Sequence, residues 1–301
     1  MRIVVTGATG LVGKPLLAAL RGRGDTVVVL SRDGARARES LGVEAHSWDP
    51  LAGPAPAAAL GGADAVIHLA GEAVAGGRWN EARKRAIRDS RVIGTKNLVA
   101  GIAAAEPRPR VLVSASAVGY YGDRPELVDE TATPGSDFLA GVVREWEAEA
   151  LKAREHGLRV ACLRIGVVLA REGGALAKMT GPFKAGVGGR LGSGRQGMPW
   201  VHLDDVVGLA LHALDREDIS GPINVVAPQP VDNAAFTKAL GRALHRPTIL
   251  PTPGFALKLL FGEMASVLLG GQKVEPKIAL ATGYRFRHAD LDGALASVYS
   301  G

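Results

Sequence analysis

The sequence predicts an α/β protein with a doubly wound parallel sheet and a smaller C-terminal lobe. Short runs rich in valine and isoleucine alternate with helical patterns up to about residue 170, as expected for strands covered by helices on both faces. Near the N-terminus, three glycines spaced Gly-x-x-Gly-x-x-Gly stand between the first apolar run and a helical pattern. Beyond that point glycines crowd 181–197 and prolines punctuate 222–254, so the alternation loosens.

The strand and helix patterns follow a regular order. Apolar runs of strand length lie at 3–5, 26–30, 65–70, 111–114, 159–164 and 223–226. Helical patterns lie near 14–24, 79–105 and 138–156, and a helical pair follows near 233–245 and 254–269. This order predicts a dinucleotide-binding domain over 1–168 and a substrate lobe with a C-terminal domain over 169–301. Segment 201–226 is expected to return to the main sheet.

The glycine triplet at the start of the chain predicts a phosphate-binding loop. Glycines let the backbone turn tightly and let a pyrophosphate approach the free N–H groups at the start of a helix. The competing interpretation, a glycine-rich turn without a ligand, is weakened by the strand before the triplet and the helix after it. The residues of this loop predicted to contact a cofactor are Gly7, Thr9, Gly10, Leu11, Val12 and Gly13.

The end of the second strand predicts which dinucleotide is bound. An acidic residue there hydrogen-bonds a ribose 2′-hydroxyl, whereas an arginine accommodates a 2′-phosphate. Here the strand ends in Ser31-Arg32, and Arg36 and Arg38 follow closely. Asp33 weakens the argument slightly, and a surface arginine in a turn is the alternative for Arg32. The prediction is therefore NADP(H) rather than NAD(H).

Composition limits the partners of the chain. The net charge of +6, from 36 Lys+Arg and 30 Asp+Glu, is modest and contains no dense basic block, which favours a small anionic ligand over nucleic acid. The single cysteine excludes an intrachain disulfide and a cysteine metal site, and the seven histidines show no paired ligand spacing, so no metal is predicted. Because no apolar stretch approaches ~20 residues and no signal pattern opens the chain, we expect no membrane span and a cytoplasmic location.

Four motifs resemble those of the extended short-chain dehydrogenase/reductase superfamily, which includes sugar epimerases and dehydratases. They are Thr-Gly-Ala-Thr-Gly-Leu-Val-Gly over 6–13, His-Leu-Ala-Gly over 68–71, Val-Ser-Ala-Ser-Ala over 113–117 and Trp-Val-His-Leu-Asp-Asp-Val-Val over 200–207. A narrower set is similar to an atypical, epimerase-like branch that carries a C-terminal domain of unknown function. That set is Gly-Glu at 71–72, Arg-Trp at 78–79, Ser-Arg at 90–91, Gly-Tyr-Tyr-Gly over 119–122, Trp-Glu at 146–147 and Ala-Thr-Gly-Tyr-Arg-Phe-Arg over 281–287.

The resemblance implies further cofactor contacts and an assembly. Ser31, Arg32 and Arg91 occupy positions expected to touch NADP in that branch. In the superfamily, an Asn-Ala-Ala-Gly segment follows the strand beside the nicotinamide. Leu69, Ala70 and Gly71 occupy the matching positions here. Members of the superfamily often dimerise through the helices after the third and fourth strands, which here correspond to 79–105 and 138–156, so a homodimer is an expectation.

The catalytic signature of the superfamily is missing. Its Tyr-x-x-x-Lys pair places a lysine one helical turn from a tyrosine, so that the lysine charge lowers the pKa of the phenol. Phe138 and Val142 stand at those two positions, and none of the four tyrosines is followed by lysine at this spacing. Fold and cofactor binding survive this loss, but the usual acid/base step does not.

Four other side chains are candidates for the missing acid/base chemistry. Ser116 is predicted to hydrogen-bond a carbonyl or hydroxyl group, with a structural cap at the strand end as the alternative. Tyr120 and Tyr121 follow the strand on the cofactor side, with packing as the alternative for both. Glu72 follows the third strand, and a desolvated carboxylate there acts as an acid or base; an exposed loop glutamate is the alternative.

Three further features lie near the predicted crevice. A histidine such as His202 is more often a packing group than a catalyst. Arg164 ends the fifth strand, where it either holds an anionic substrate group or pairs with an internal acid. The glycine-rich loop 186–197 is expected to be mobile and to cover the substrate site with Arg195 or Gln196.

Two functions of different classes remain open from the sequence. The first is an NADP(H)-dependent oxidoreductase or epimerase-like enzyme with a non-standard proton donor, acting on a small carbonyl or sugar-like molecule. The second is a non-catalytic NADP(H)-binding protein that senses redox state or acts through a partner. The serine strand and the C-terminal lobe favour the first, whereas Phe138 and Val142 favour the second.

Overall fold

Seven parallel strands form the main sheet in a computed structural model that describes residues 1–75 and 77–300. The strands of the molecule are β1 (Arg2–Thr6), β2 (Thr26–Ser31), β3 (Glu44–Ser47), β4 (Ala65–His68), β5 (Val111–Ala117), β6 (Leu127–Val128), β7 (Arg159–Ile165), β8 (Val167–Leu169), β9 (Trp200–His202), β10 (Gly221–Val225) and β11 (Lys273–Val274). Their order in the main sheet is β10-β7-β5-β4-β1-β2-β3. The chain therefore winds outward from β1 in both directions, which confirms the predicted doubly wound sheet.

Helices cover both faces of this sheet. They are α1 (Gly13–Gly22), α2 (Gly34–Leu41), α3 (Ala57–Leu60), α4 (Glu81–Ala103), α5 (Phe138–Leu151), α6 (Gly174–Lys184), α7 (Leu203–Asp215), α8 (Asn233–Ala243), α9 (Gly254–Phe261), α10 (Ala265–Leu269), α11 (Lys277–Ala281) and α12 (Leu291–Tyr299), with 3-10 turns at Val118–Tyr121, Lys152–His156 and Gly262–Met264. Successive strand residues point to opposite faces. Accordingly Val5 packs with α1 and α7 on one face, and Val4 packs with α4 and α5 on the other.

The sequence analysis did not predict one strand of the main sheet, β3. Strand β3 has the sequence Glu-Ala-His-Ser and lies at the edge of the sheet, paired only with β2. Only Ala45 of its four residues is buried, because an edge strand is covered on one side and half exposed on the other. A strand this short and polar lacks the apolar run that marked the others.

The C-terminal lobe has its own apolar core. Helices α6, α8 and α12 bury large side chains against the small parallel sheet of β8 and β9; the largest are Phe183, Trp200, Phe236, Leu240 and Leu295. A second pair, β6 and β11, joins the lobe to the segment after β5. Strand β10 lies at the far edge of the main sheet beside β7. The division between 168 and 169 stays a prediction.

The loop before α12 is fastened to the main domain by a buried carboxylate. Asp205, in the first turn of α7, is 1% exposed. It accepts hydrogen bonds from the Tyr284 hydroxyl at 3.0 Å, from Arg287 N at 2.8 Å and from His288 N at 3.0 Å. The Tyr284 ring packs beside Gly208, where an added Cβ would lie 2.1 Å from the phenol oxygen. One residue therefore sets where the last segment of the chain returns to the sheet.

We predict that Asp205→Ala lowers the free energy of unfolding by about 3 kcal/mol, because it leaves buried donors without an acceptor. Urea denaturation measures this change. Asp292→Ala is the matched control, since Asp292 forms an exposed ion pair with Arg242, and its loss should stay below about 1 kcal/mol. Equal effects of the two substitutions would contradict the role given to Asp205.

Candidate functional site

The strand order reverses between β1 and β4, which opens a crevice at their carboxyl ends. Gly7 follows β1 with φ +71°, a conformation that favours glycine, and an added Cβ there would lie 2.7 Å from the carbonyl carbon of Leu69. At Gly13 an added Cβ would lie 2.2 Å from the Gly7 carbonyl oxygen. The glycines therefore allow the loop to fold tightly onto the segment after β4.

The start of α1 is open to an anion. No side chain caps it, no acidic residue lies in its first turn, and its N-cap residue is Val12. Thr9 and Gly10 are exposed beside it, and Leu11 and Val12 are half-buried. Uncapped N–H groups and the positive end of the helix dipole favour a phosphate. This arrangement fits the pyrophosphate of a dinucleotide.

A buried histidine fixes the loop that faces α1. His68 ends β4 and is fully buried; its Nδ1 lies 2.7 Å from Thr6 Oγ1 and its Nε2 lies 3.0 Å from Thr95 Oγ1. Burial lowers the pKa of His68 to about 4, so the ring is neutral at physiological pH. Thr6 Oγ1 also accepts hydrogen bonds from the backbone N–H groups of Leu69 and Ala70, both at 3.2 Å. Leu69, Ala70 and Gly71 are therefore held at the mouth of the crevice.

The end of β2 carries an exposed arginine. Arg32 is exposed, and Ser31 is half-buried beside it. The carboxylate of Asp33, which complicated the sequence argument, caps α2 by accepting a hydrogen bond from Arg36 N at 2.9 Å. Arg38 is engaged elsewhere, because it donates to the Ala45 carbonyl oxygen at 2.8 Å. The geometry at β2 thus suits a 2′-phosphate better than a free 2′-hydroxyl.

Arg91 lies where the resemblance implied a cofactor contact. Its guanidinium group packs 5.1 Å from the Trp146 ring centroid and donates to the carbonyl oxygens of Glu72 and Ile87. An added Cβ at Gly71 would lie 3.5 Å from its central carbon. Burial lowers the pKa of Arg91 to about 10, but the group stays charged at neutral pH. An arginine held by carbonyl groups keeps its positive charge for a nearby anion.

An open cleft of about 600 Å³ adjoins the glycine loop. Its lining comes from the start of α1, the segment after β8, the start of α7 and α12; the lining residues include Thr9, Gly10, Leu11, Lys14, Arg171, Glu172, His202, Asp204 and Val298. The starts of two helices, α1 and α7, therefore border the same space. The cleft connects the cofactor loop to the C-terminal lobe.

Two histidines that the sequence left apart meet beside this cleft. The rings of His202 and His288 stack with centroids 3.7 Å apart, and His288 Nε2 lies 3.2 Å from Asp204 Oδ2. His202 Nδ1 accepts the backbone N–H of Asp204 at 3.1 Å, so it caps α7. His202, Asp204 and His288 each offer one ligand atom within 4.8 Å of the others, a spacing that is compatible with a metal ion. The prediction that the chain holds no metal stays a prediction.

A buried polar network lies below the crevice, at the carboxyl ends of β5, β7 and β10. Arg164 and Glu147 form a bidentate ion pair, with Nε–Oε1 and Nη2–Oε2 both at 2.8 Å and both residues below 9% exposure. Ser116 donates its hydroxyl proton to Glu147 Oε1 at 2.5 Å. The Arg164 guanidinium also stacks 3.5 Å from the Tyr120 ring centroid. Of the two roles considered for Arg164, the structure has it paired with an internal acid.

The network continues into the C-terminal lobe. Tyr121 is fully buried; its hydroxyl donates to Asn224 Oδ1 at 2.7 Å and accepts from Arg164 Nη1 at 3.0 Å. Burial raises the pKa of Tyr121 to about 12. Glu130 Oε1 accepts the backbone N–H groups of Asn224 at 2.9 Å and Ile278 at 3.2 Å. These bonds join β5, β7 and β10 to α11.

Each of the four candidate catalytic residues contacts another side chain of the protein. Ser116 is 3% exposed and bonded to Glu147, and Tyr120 is half-buried against Arg164. The full burial of Tyr121 argues against contact with a substrate. The carboxylate of Glu72 is 39% exposed and paired with Arg83 at 2.9 Å, so it is not the desolvated group that the prediction required. Their catalytic roles remain predictions, and the geometry favours Ser116 among them, since it lies at the end of β5 beside the crevice.

The two positions that replace the Tyr-Lys pair serve packing. Phe138 meets Trp79 edge to face with centroids 5.4 Å apart, and Lys84 Nζ lies 5.3 Å from the centroid of the Phe138 ring. Val142 is 3% exposed. In the loop 186–197, Gln196 donates to the carbonyl oxygens of Leu191 and Leu268, which directs it into the lobe rather than toward a substrate.

Sequence reasoning missed several partners in this site. Glu147 was seen only as part of a Trp-Glu motif, and Glu130 and Asn224 were not singled out. Asn224 lies 103 residues from Tyr121 along the chain. The apolar run that contains Asn224 carries a lone amide, and a polar residue inside a buried strand is a signal that it has a partner.

Comparison with known proteins identifies the family. Residues 3–226 match the NAD dependent epimerase/dehydratase family, and residues 252–298 match a domain of unknown function, DUF1731. The chain belongs to this epimerase family. The resemblance that was based on the motifs is thereby confirmed.

The sequences and structures of individual relatives match nearly the whole length of the chain. An epimerase family protein of Mycobacterium bovis is 41% identical over 295 residues, which is 97% of this chain and 96% of the relative. The crystal structure of the human epimerase family protein SDR39U1 with NADPH has a TM-score of 0.90 and 35% identity, and the match covers 100% of both chains. A nucleoside-diphosphate sugar epimerase from Corynebacterium glutamicum has a TM-score of 0.79 and 35% identity, with this chain spanning 58% of it.

We predict that Glu130 makes stability fall as pH rises. Burial raises the pKa of Glu130 in the folded protein, so between its ordinary pKa and the raised value the folded chain binds more protons than the unfolded chain. The contribution is fully present below the ordinary pKa and is lost as pH rises to the raised value. In Glu130→Gln, which keeps an acceptor for Asn224 and Ile278, this loss should vanish.

Urea denaturation from pH 4 to pH 8 measures the effect as the difference in unfolding free energy between Glu130→Gln and the unaltered protein. The difference should shift in favour of glutamine as pH rises. Glu126→Gln is the matched control, because Glu126 is exposed in the same segment. If the free energy of unfolding of both variants changes with pH as it does in the unaltered protein, Glu130 does not cause the pH dependence.

Proposed function

We propose that the chain binds NADP(H) at the carboxyl ends of β1, β2 and β4. The observation that carries this proposal is the end of β2, where Arg32 is exposed while the carboxylate of Asp33 is occupied by Arg36 N. The uncapped start of α1 suits the pyrophosphate, and Leu69, Ala70, Gly71 and Arg91 lie where the nicotinamide half would rest. The human relative crystallised with NADPH supports the same cofactor.

We propose further that the protein is an oxidoreductase or epimerase-like enzyme that acts on a small carbonyl or sugar-like substrate. The bound cofactor would supply or accept a hydride. The chain would orient the substrate in the crevice between the sheet and the C-terminal lobe, with Ser116 as the polar group at the end of β5. The Corynebacterium relative, named a nucleoside-diphosphate sugar epimerase, supports a sugar-like substrate. A cytoplasmic location and a homodimer belong to this proposal.

Ser116 has a defined hydrogen-bonding role in this scheme. Its proton is directed to Glu147, so the lone pairs of Oγ remain for a ligand. Ser116 would therefore accept a hydrogen bond from a substrate hydroxyl and hold it in place. Glu147 acts through Ser116 and is a positioning residue, since Arg164 stabilises its carboxylate.

A second candidate function is a non-catalytic NADP(H)-binding protein. The specific observation in its favour is that Phe138 and Val142 pack where the superfamily has its Tyr-Lys pair, while Tyr121 is buried and Glu72 is ion-paired. Such a protein would use the cofactor's redox state as a signal. Turnover of NADPH separates the two functions.

We predict that Arg32→Ala weakens NADPH binding about 10- to 100-fold, because it removes a charge-assisted hydrogen bond to the 2′-phosphate. NADH has no such phosphate, so its affinity should not change. Isothermal titration calorimetry measures both constants. Arg108→Ala, at an exposed arginine remote from β2, is the matched control. Equal losses for NADPH and NADH would refute the assignment of Arg32.

For the enzymatic function, we predict that a library of carbonyl and sugar compounds, screened by thermal shift with saturating NADPH, contains a compound that also oxidises NADPH. With that compound, Ser116→Ala should lower turnover by about 2- to 10-fold, because it removes one hydrogen bond to the substrate hydroxyl, while leaving NADPH affinity intact. NADPH absorbance at a fixed enzyme concentration gives the rate. Compounds that bind without any oxidation of NADPH would instead support the non-catalytic function.

A further inference from the structure

The C-terminal lobe exposes an unusual amount of apolar surface. Helix α9 is apolar on nearly all sides, yet Phe255 is 76% exposed, Leu259 78% and Leu260 64%. In the loop that precedes it, Ile249 is 84% exposed and Leu250 is 62% exposed. A helix that is hydrophobic all round is normally buried, and a cluster of exposed apolar side chains marks an interaction surface.

Basic side chains lie on α9 and on the segments next to these apolar residues. Arg246 Nε donates to the Lys184 carbonyl oxygen at 3.2 Å, and Thr252 N donates to the Arg190 carbonyl oxygen at 2.8 Å, so segments 184–190 and 246–252 lie side by side. Lys258 lies on α9 itself and is exposed. We define the basic-apolar face as Lys184, Arg190, Arg246, Ile249, Leu250, Phe255, Lys258, Leu259 and Leu260.

The positive charge of the protein is concentrated in these segments. Residues 173–203 and 233–262 contain eight Lys+Arg and no Asp or Glu, and the residues that directly flank them are the acids Glu172, Asp204, Asp232 and Glu263. With 36 Lys+Arg and 30 Asp+Glu in the whole chain, the rest has a formal charge of −2. Within the two segments, Arg242 is paired with Asp292 of α12 at 2.6 Å, but that pair is exposed. The basic-apolar face therefore carries a local excess of positive charge next to exposed leucine and phenylalanine.

We propose that the basic-apolar face binds the surface of membranes that contain anionic lipids. Helix α9 would lie in the plane of the interface, with its leucine and phenylalanine side chains among the upper acyl groups and the lysine and arginine side chains at the lipid phosphates. Each basic side chain near such a surface contributes about 1 kcal/mol of attraction. Among the residues described, no helix has the length and hydropathy to cross a bilayer, so the contact would be peripheral.

Charge argues for a lipid surface over a second copy of the chain. A symmetric dimer through this face would bring the same basic residues of both copies together. Glu263, the exposed acid that follows α9, is already paired with Lys84 at 2.7 Å. An anionic lipid surface instead complements the charge and accepts the apolar side chains at once. The cofactor crevice plays no part in this proposal.

Vesicle flotation of the full-length protein tests the proposal. We expect binding to vesicles of phosphatidylcholine and phosphatidylglycerol in equal parts, and little binding to phosphatidylcholine alone. Binding should fall as salt rises, because the attraction is screened. Lys258→Glu should weaken binding by more than about fivefold, since it both removes and reverses one charge. Lys96→Glu, at an exposed lysine of α4, is the matched control and should bind like the unaltered protein.

The apolar part of the face is tested separately with Leu259→Ser, and Leu51→Ser serves as its control because Leu51 is 52% exposed in the main domain. Loss of flotation only in Leu259→Ser supports the proposal, provided that its unfolding curve matches that of the control. Flotation that is absent at low salt, or equal in all variants, overturns it. A change of mass in solution that Leu259→Ser abolishes would also overturn it, in favour of a protein partner.

Discussion

Arg164 and Glu147 meet as a bidentate ion pair that is buried where three strands of the main sheet end. Two buried charges are stable only when their geometry is good and their remaining donors and acceptors are satisfied, and breaking such a pair costs about 3–5 kcal/mol. Here Ser116 takes one carboxylate oxygen and Tyr121 takes one guanidinium nitrogen. The hydrogen bonds to the ion pair therefore fix the positions of Ser116 and Tyr121. Ser116 is turned inward, and Tyr121 reaches Asn224 of β10.

The cofactor loop at β1 and the polar network at the ends of β5, β7 and β10 are built by different physical means. In the cofactor loop, the glycines allow backbone atoms to approach closely. The uncapped N–H groups of α1 and the nearby arginines can then bind phosphates. In the polar network, the side chains hydrogen-bond to one another. A site of the first kind binds a ligand strongly without side-chain chemistry, whereas the second provides few groups that can transfer a proton.

The sequence predicted the parts of the molecule that depend on local pattern. Apolar runs marked six of the seven strands of the main sheet, and the glycine triplet marked the loop at β1. It did not show that Asp33 caps α2, that Arg83 neutralises Glu72, or that Tyr121 is buried. Each of these depends on where two side chains end up after folding. Partners such as Tyr121 and Asn224, which are far apart in the chain, share no local pattern that a single sequence could reveal.

Phe138 stands at the tyrosine position of the superfamily's Tyr-x-x-x-Lys pair, but in this structure its side chain serves packing. Its ring meets Trp79 in the loop after β4, and Lys84 of α4 lies over the same ring. The start of α5 is thereby joined to the elements that border the crevice. An aromatic ring and a valine can stabilise this arrangement but cannot exchange protons. Ser116 does not replace the Tyr-Lys pair as a proton donor, because its hydroxyl proton is directed to Glu147 Oε1 and only its lone pairs remain available.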